Sequence, residues 1–298
     1  MILVEHPNKK FMAEFDRYEP AIQDHTAMSV LKTCKRKYFL RIVLGRVFPK
    51  SQYQTVFDFG SAYHKFRELL ETKGYQEAIG YILNVKLTPA EPNSKFAYLD
   101  NIRLLKSCQA AYDHWKKEKE LNRIKVIAVE QPFNVQLPDG TFIGGRADQI
   151  VEWNGKLWGR DFKTTSKELS WFQRGLDPND QATRYIYGES KLHGQQIEGI
   201  IFEAIYNTKT VGPKIYSALI TKNKWQLDQW EREQVFNNRV LKTIREEDIW
   251  PMDDGYQCQF CDYAFVCRKS SEAAMVHELK SNYKLSPWDH SKVEQEDI

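Results

Sequence analysis

The sequence predicts a mixed α/β protein with a helical first part and a cysteine-rich segment near its end. Up to about Asn122, apolar residues recur at the 3.6-residue period of a helix. From Ile124 onward, short β-type runs alternate with turn residues, and helical patterns interrupt those runs. These observations together predict a mixed core with helices on both faces.

Three helices are expected in the first part of the chain. They are Ser29–Arg41, Phe57–Thr72 and Phe96–Glu120.

The strands and later helices follow in order, separated by turn signals such as Pro138-Asp139-Gly140. The strongest of these signals is Asn154-Gly155, which is typical of a two-residue hairpin turn. The expected strands are Ile124–Gln136, Thr141–Trp153, Lys156–Phe162, Gln196–Tyr206 and Pro213–Thr221, and the expected helices are Asn179–His193 and Lys222–Glu246.

We expect these elements to form one domain of 298 residues, because no internal repeat or low-complexity linker divides the chain. Its parts would be a helical region 1–122, a mixed core 123–247, a cysteine-bearing segment 248–270 and a loosely packed tail 271–298.

The predicted hairpin brings two acids and a lysine together. It carries Asp148 back beside Asp161, and strand alternation places Asp161 and Lys163 on one face with Phe162 behind them. Two carboxylates can hold Mg²⁺ or Mn²⁺, and a nearby cation can orient water and offset developing charge, as metal-assisted phosphodiester hydrolysis requires. The alternative is that these are surface acids with an ordinary ion-pair partner.

The net charge of +3 means that any nucleic-acid surface must be local. One stretch contains cations and no acids, with Tyr38 and Phe39 interleaved. This is either a solvated helix face or a phosphate-facing surface. Its cations are Lys32, Lys35, Arg36, Lys37, Arg41, Arg46 and Lys50.

No apolar run reaches the roughly 18 to 20 residues that span a bilayer. The segment Met1–Lys10 also lacks the apolar core of a signal peptide. We therefore expect a cytoplasmic protein with no membrane partner.

Four of the five cysteines suggest a metal or cluster site. Cys258, Cys261 and Cys267 lie close together in sequence, and Cys34 lies far upstream. Four thiolates suit either zinc or an iron-sulfur cluster, and their spacing does not separate the two. A disulfide framework is not expected in a chain of this size, and Cys108 is expected to be a small core residue.

The ordered motifs resemble those of the RecB-like branch of the PD-(D/E)XK nucleases in its iron-sulfur form, a branch that is similar to AddB-type nuclease domains and CRISPR-adaptation exonucleases. The resemblance extends from about Ser29 to Cys267. Its motifs are Gly60-Ser-Ala-Tyr-His64, Gly145-Arg-Ala-Asp148, Asp161-Phe-Lys163, Gln181-Ala-Thr-Arg-Tyr185, and Cys34 with the three late cysteines.

The resemblance implies a restriction-endonuclease-like fold and a role for each matched residue. His64, Asp148, Asp161 and the Phe162 carbonyl would hold Mg²⁺ or Mn²⁺, while Lys163 would position and activate water. Gln181 and Tyr185 would hold the substrate backbone. The resemblance also implies a structural [4Fe-4S] cluster on Cys34, Cys258, Cys261 and Cys267, with zinc as the alternative. Glu130 is either a ligand of a second metal or a surface acid.

Several features depart from the family pattern or limit the function. The proline that often follows the family's first cysteine is absent, and Asp161 replaces a common glutamate. No Walker-type phosphate loop is present, so any unwinding would come from a helicase or recombination partner.

These features favour a DNA exonuclease that acts on single-stranded ends, with endonuclease activity also open. The contact with DNA would involve Lys35, Arg36, Lys37 and Arg41. The alternative function is a nucleic-acid-binding adaptor that uses the nuclease fold as a scaffold.

Overall fold

A computed structural model describes residues 11–49, 54–87, 97–208 and 211–289. Within that part of the chain, none of the helices is long and apolar enough to cross a membrane. The helices are α1 His25–Thr33, α2 Lys35–Tyr38, α3 Gln54–Thr72, α4 Tyr75–Asn84, α5 Ala97–Leu121, α6 Leu169–Arg174, α7 Asp180–His193, α8 Lys224–Glu247, α9 Ala264–Cys267 and α10 Glu272–Asn282. A π-helical turn spans Phe39–Val43 and a 3₁₀-helix spans Tyr256–Phe260. The strands are β1 Arg46–Val47, β2 Ile124–Gln136, β3 Phe142–Trp153, β4 Lys156–Thr165, β5 Gly199–Tyr206, β6 Lys214–Thr221 and β7 Lys284–Leu285.

The chain forms two compact units. Unit 1 comprises residues 1–51 and 233–291, and unit 2 comprises residues 52–232 and 292–298. Helix α8 contributes residues to both units. The partition of the chain into one nuclease domain and a tail stays a prediction.

Unit 2 contains a five-stranded sheet in the order β2-β3-β4-β5-β6. Strands β4 and β5 run parallel, whereas the other neighbouring pairs are antiparallel. This sheet confirms the prediction of a mixed α/β core.

The predicted hairpin between β3 and β4 is confirmed. Trp153 pairs with Lys156 across a two-residue turn. Both turn residues, Asn154 (φ 54°) and Gly155 (φ 72°), have the positive φ that a type I′ turn requires. The register pairs Gln149 with Arg160, so Asp148 and Asp161 are the next residues along the two strands.

Helices cover both faces of the sheet, as predicted. Phe162 and Ile205 pack with apolar residues of α3, α4 and α5, among them the fully buried Cys108. On the other face, Ile200 and Phe202 pack with α7. The two clusters bury both faces of β4 and β5, which explains why the centre of β4 and nearly all of β5 are buried.

Unit 1 has its own core, built from both ends of the chain. Met28 of α1 and Phe39 of the π-helical turn pack in one cluster with Trp250, Val266 and Leu279. Phe39 and Trp250 stack with ring centroids 4.7 Å apart. Strands β1 and β7 pair antiparallel in the same unit.

The predicted helix Ser29–Arg41 is wrong as one continuous element. It begins earlier, at His25, and breaks at Cys34, whose backbone is extended (φ −164°, ψ 120°). The Cys34 sulfur then accepts a hydrogen bond from the Lys37 N–H at 3.5 Å and caps α2. A side chain that caps a new helix therefore interrupts the helical pattern.

Other predicted boundaries shift by a few residues. Helix α3 begins three residues before Phe57, β4 continues three residues past Phe162, and β5 begins at Gly199 rather than Gln196. Phe96 lies outside the described residues. Helices α4 and α6 were not predicted.

The expectation of a loosely packed tail is wrong for the part of it that the structure describes. Helix α10 begins at Glu272, where the Ser271 hydroxyl caps it by accepting the Ala274 N–H. Its Met275, Val276 and Leu279 are buried in the core of unit 1. The polar composition of this segment concealed an amphipathic helix.

Candidate active site

Helix α3 and strand β3 position the first pair of predicted site residues. Nδ1 of His64 lies 3.2 Å from Oδ2 of Asp148. The same carboxylate oxygen accepts the Phe162 N–H at 2.6 Å. Asp148 is therefore fixed both by the imidazole and by the backbone of the neighbouring strand.

Strand β4 positions the second pair. Nζ of Lys163 lies 2.8 Å from Oδ2 of Asp161, whose residue is 2% exposed. Asp161 and Lys163 are separated by one residue, so they share a face of the strand, and the buried Phe162 lies on the opposite face. This alternation agrees with the arrangement expected from the sequence.

The two carboxylates have opposite electrostatic environments. Burial raises the pKa of Asp148, but the charge of His64 and its hydrogen bond outweigh burial and leave that pKa below its usual value. Burial raises the pKa of Asp161, and Lys163 offsets that rise only in part. For His64, burial lowers the pKa, but the Asp148 carboxylate outweighs burial and raises it above the ordinary value. The site thus contains one well-compensated carboxylate and one under-compensated carboxylate.

Helix α7 supplies Gln181 and Tyr185. Nε2 of Gln181 donates to Oη of Tyr185 at 3.2 Å. Burial, and then the negative charges of Asp161 and Asp148, raise the pKa of Tyr185. The phenol therefore stays protonated beside the carboxylates and can donate a hydrogen bond to an anionic ligand.

The glycine of the Gly145-Arg-Ala-Asp148 segment has a packing role. A Cβ on Gly145 would lie 2.7 Å from the Phe133 ring and 2.9 Å from the Tyr185 ring. Gly60, one turn before His64, is less constrained, because a Cβ there would meet Thr164 Oγ1 at an ordinary 3.7 Å. Gly145 thus lets β3 approach Tyr185 closely, whereas Gly60 tolerates a methyl group.

A family model of the PD-(D/E)XK nuclease superfamily matches residues 25–268, which is more than half of the chain and includes every residue placed above. The chain belongs to the PD-(D/E)XK nuclease superfamily. This membership confirms the resemblance to the PD-(D/E)XK nucleases, whereas the iron-sulfur form of the RecB-like branch stays a prediction. Nucleases of this superfamily use divalent metal ions.

The chain is also similar to individual proteins of two mycobacteriophages. The chain is 31% identical to the gene 69 protein of Mycobacterium phage L5 over 142 residues, which are 47% of this chain and 44% of that protein. It is 25% identical to the gene 69 protein of Mycobacterium phage D29 over 142 residues, 47% of each. The matched region spans less than half of either phage protein.

One solved structure shares the fold. It is a protein of Eubacterium rectale that is described as a candidate exonuclease, and it is 12% identical with a TM-score of 0.51. The match covers 84% of this chain and 90% of that one. At this identity the likeness concerns the fold alone.

The residues of this candidate site fit a divalent cation. The donors are two carboxylates, one imidazole and the backbone carbonyl of Phe162, which together suit Mg²⁺ or Mn²⁺. Asp161 supports the fit most directly, because its buried carboxylate is only partly compensated by Lys163. A bound cation would add the missing positive charge.

Glu130, the candidate ligand of a second metal, belongs to strand β2. It is in the interior of β2, between Val129, which pairs with Gln149, and Gln131, which pairs with Ala147. This register places it opposite Asp148. Its backbone has φ 50°, and its carboxylate lies 2.9 Å from Nε of Arg146. A role in a second metal site stays a prediction.

A second charged cluster lies beside this site and escaped the sequence analysis. Buried Glu203 of β5 pairs with Arg67 of α3 and with Arg160 of β4. Arg160 also lies 2.7 Å from Glu118, and His114 lies 3.5 Å from both glutamates. A charged residue inside an otherwise apolar strand, such as Glu203 in Ile-Phe-Glu-Ala-Ile, is the sequence signal by which this buried network could have been found.

His114, Glu118 and Glu203 have ligand-type atoms within 4.8 Å of one another, the only such trio among the described residues. Glu203 already forms ion pairs with two guanidinium groups. Burial raises the pKa of Glu203, but Arg160 and Arg67 outweigh burial and hold it well below the ordinary value. The negative charge of this trio is therefore already compensated by the two arginines. Their positive charge disfavours binding of a metal ion.

Unit 1 contains the four predicted cluster ligands. Cys34 caps α2, and Cys267 ends α9. Burial raises the pKa of Cys267 to about 11, and the charges of Cys261, Cys34 and Cys258 contribute to that rise. Sulfurs that influence one another in this way lie in one neighbourhood, which suits a shared metal or cluster that replaces their protons. The ligand set stays a prediction.

The cations predicted to contact DNA are engaged within unit 1. Nζ of Lys35 lies 2.9 Å from Asp253, and Nε of Arg36 donates to the Trp250 carbonyl at 2.7 Å.

Arg41 is only 6% exposed, and it donates to the Ser286 carbonyl at 3.2 Å. A phosphate-facing role does not suit Arg41, because its guanidinium is buried and used in the fold. Lys37 is half-buried beside the cysteines, and Lys50 lies outside the described residues.

Proposed function

We propose that this protein is a metal-dependent DNA exonuclease that removes nucleotides from single-stranded ends. The observation that carries the proposal is the pairing of two buried carboxylates with His64 and Lys163 at adjoining positions of β3 and β4. Pairing of β3 with β4 does not by itself require these four side chains. A centre that cleaves phosphodiesters with a metal ion uses carboxylate and imidazole ligands together with a nearby cation.

His64, Asp148, Asp161 and the Phe162 carbonyl would hold the cation. When bound, Mg²⁺ or Mn²⁺ stabilises negative charge on the phosphate and lowers the pKa of water. Lys163 adds a fixed positive charge beside Asp161, where it can orient the attacking water. The Tyr185 hydroxyl and the Gln181 amide would bind the substrate phosphate as hydrogen-bond donors.

A preference for single-stranded ends is supported by the resemblance to exonucleases and by the lack of a Walker motif in this sequence. A motor protein would supply unwound ends from a duplex. The proposed [4Fe-4S] cluster would be held by Cys34, Cys258, Cys261 and Cys267 of unit 1, whereas the proposed metal ligands belong to unit 2. Its role would be structural, and zinc is the alternative occupant.

The test of the nuclease centre uses anaerobically purified protein with end-labelled linear DNA, single- or double-stranded, and circular single-stranded DNA. Each reaction contains Mn²⁺, Mg²⁺ or chelator. We expect metal-dependent stepwise shortening of linear single strands and no cutting of the circle. Asp161→Asn should lower the rate about a hundred- to a thousandfold.

The matched control is Asp113→Asn, which makes the same chemical change on the exposed face of α5. It should cleave like the wild type. Cutting of the circle would replace the exonuclease assignment with an endonuclease. Binding of DNA without cleavage under either metal would favour the adaptor function.

The cluster is tested by elemental analysis of two cysteine variants. Cys261→Ala should lose iron and sulfide together with the visible absorbance of the cluster. Cys108→Ala, which changes the buried cysteine of α5, should keep them. One zinc and no iron per wild-type chain would establish the alternative metal.

A further inference from the structure

The segment 166–180 connects the two halves of the proposed nuclease site. It begins just after β4, which bears Lys163, and it ends where α7 begins and bears Gln181. Trp171, on α6, is eight residues after Lys163 and ten before Gln181. Even a fully extended chain would place Trp171 within roughly 30 Å of Lys163, and the helical part of this segment shortens that reach.

The position of α6 is fixed by packing on one side. Phe172 and Leu176 join the hydrophobic cluster that also contains Tyr185. The Asn179 side chain donates to the Gly175 carbonyl at 3.3 Å and accepts the Ala182 N–H at 3.0 Å. Lys222 forms an ion pair with Asp177. These contacts attach the segment to the scaffold beside the substrate-binding tyrosine.

Trp171 points away from that packing. Its side chain is 65% exposed, although Phe172 beside it is half-buried against the core. All eight tryptophans lie in the described part of the chain, and only Trp171 and Trp225 are exposed. An indole in water gives up the stabilisation that burial of a large aromatic side chain provides.

Two cations accompany the exposed indole. The Arg174 guanidinium lies 5.4 Å from the centroid of the Trp171 ring, and Lys167 is exposed on the approach to α6. Neither has an ion-pair partner among the described residues. An exposed aromatic ring with a guanidinium group beside it offers stacking to a base and charge to a phosphate, which is the chemistry of single-strand binding.

We propose that Trp171 and Arg174 form a stacking platform for an unpaired base of the nucleic-acid substrate. The proposal rests on the proposed function, because it assigns the path of the strand that enters that site. A duplex would not use the platform, since its bases already stack on one another. The neighbours Ser170 and Gln173 are polar and exposed, so the surface lacks the continuous apolar area of a protein-docking patch.

The first test measures cleavage of a linear single strand by Trp171→Ala, Trp171→Phe and the control Trp225→Ala. Loss of one stacked base should raise KM about 5- to 150-fold with kcat nearly unchanged. Trp171→Phe should recover part of the loss because it retains a ring. Trp225→Ala removes an equally exposed indole of unit 2 and should leave KM unchanged.

The second test separates stacking from charge by comparing oligo(dT) with an abasic oligonucleotide of equal length. Binding is followed by fluorescence anisotropy in the Asp161→Asn background, where the DNA stays intact. The protein should prefer oligo(dT), and Trp171→Ala should remove most of that preference. Equal losses on both oligonucleotides would overturn the stacking role.

The outcomes distinguish the platform from the nuclease. If the wild type cleaves DNA and Trp171→Ala matches Trp225→Ala, the platform is refuted and the nuclease stands. If the wild type cleaves nothing but the preference for oligo(dT) depends on Trp171, the proposed nuclease fails and the platform stands. Absence of both cleavage and binding refutes both.

Discussion

Strand β4 separates two charged clusters that look alike in composition but differ in how their charge is satisfied. On one face, Asp161 and Lys163 lie beside Asp148 and His64. On the other, Arg160 joins a network with Glu203, Glu118, His114 and Arg67. Both clusters combine carboxylates, an imidazole and cations, and both are largely buried.

The difference lies in the carboxylate that lies deepest in each cluster. Glu203 pairs with two guanidinium groups, and its pKa lies well below the ordinary value. Asp161 has one ammonium partner, and burial leaves its pKa raised. Close packing of ligand-type atoms is therefore a poor guide to a cation site. An incompletely compensated carboxylate is the better guide.

The largest expected effect is on the free energy of unfolding. Glu203→Gln leaves Arg67 and Arg160 buried with a neutral partner, so it should lower the free energy of unfolding by about 3 to 5 kcal/mol. Asp161→Asn should leave that free energy unchanged or raise it, because it removes an under-compensated charge. Urea denaturation of both variants measures the contrast. A stable Glu203→Gln protein would show that the two clusters do not differ as described.

Two glycines test the fit of the elements on either side of β4. Gly145→Ala forces a methyl group into the Phe133 and Tyr185 rings, and it should destabilise the protein by about 1 to 3 kcal/mol. Gly60→Ala meets only an ordinary contact and should be neutral or stabilise α3 by up to about 1 kcal/mol. The thermal unfolding midpoints of the two variants measure which substitution destabilises the protein more. The reverse order would mean that α3, rather than β3, makes the closer approach.

Metal binding should distinguish the clusters directly. Titration calorimetry with Mn²⁺ should show a dissociation constant at least about tenfold higher for Asp148→Asn than for the wild type. Glu118→Gln should bind like the wild type, because the arginine-filled cluster is not expected to hold the ion. If Glu118→Gln alone weakened binding, the cation site would belong to the other face of β4.

The smallest expected effect depends on pH. Hydrogen bonds to Glu118 and Glu203 raise the pKa of His114 to about 9, from 6.5 in the unfolded chain. Protonated His114 therefore stabilises the fold fully below about pH 6.5, and this contribution disappears as the pH rises through 9.

His114→Gln should lower stability at pH 6 by on the order of 1 kcal/mol, after allowance for solvent screening of a side chain that is 34% exposed. At pH 10 the variant and the wild type should be equal. A difference that is constant across this range would show that His114 acts through packing rather than charge.

The sequence predicted the features that depend on residues close together in the chain, such as turn type and strand alternation. Asn154-Gly155 specified the hairpin turn, and the hairpin then required Asp148 and Asp161 to meet. The alternation of β4 placed Asp161 with Lys163. Both inferences need only residues that are close in sequence and the pairing of β3 with β4 across the turn.

Features that depend on distant partners were missed. The Arg67–Glu203 pair joins residues 136 positions apart, so no window of sequence contains both. The break at Cys34 depends on a sulfur that caps the next helix, a role that its neighbours in sequence do not reveal. The cations around Lys35 and Arg36 were expected to face phosphate. Their hydrogen-bond acceptors, a carboxylate and a backbone carbonyl, belong to residues 250–253, more than 200 positions along the chain.

The two charged faces of β4 also constrain how the protein can misfold. A slip of one residue against β5 would turn Arg160 and Phe162 toward the side of the proposed metal ligands, and Asp161 toward Glu203. Two carboxylates would then be buried together, and the guanidinium groups would lose their partners. In most sheets the hydrophobic pattern and the turn geometry set the register. Here electrostatic repulsion adds a further penalty, so the residues proposed to act in catalysis also favour a single register of β4.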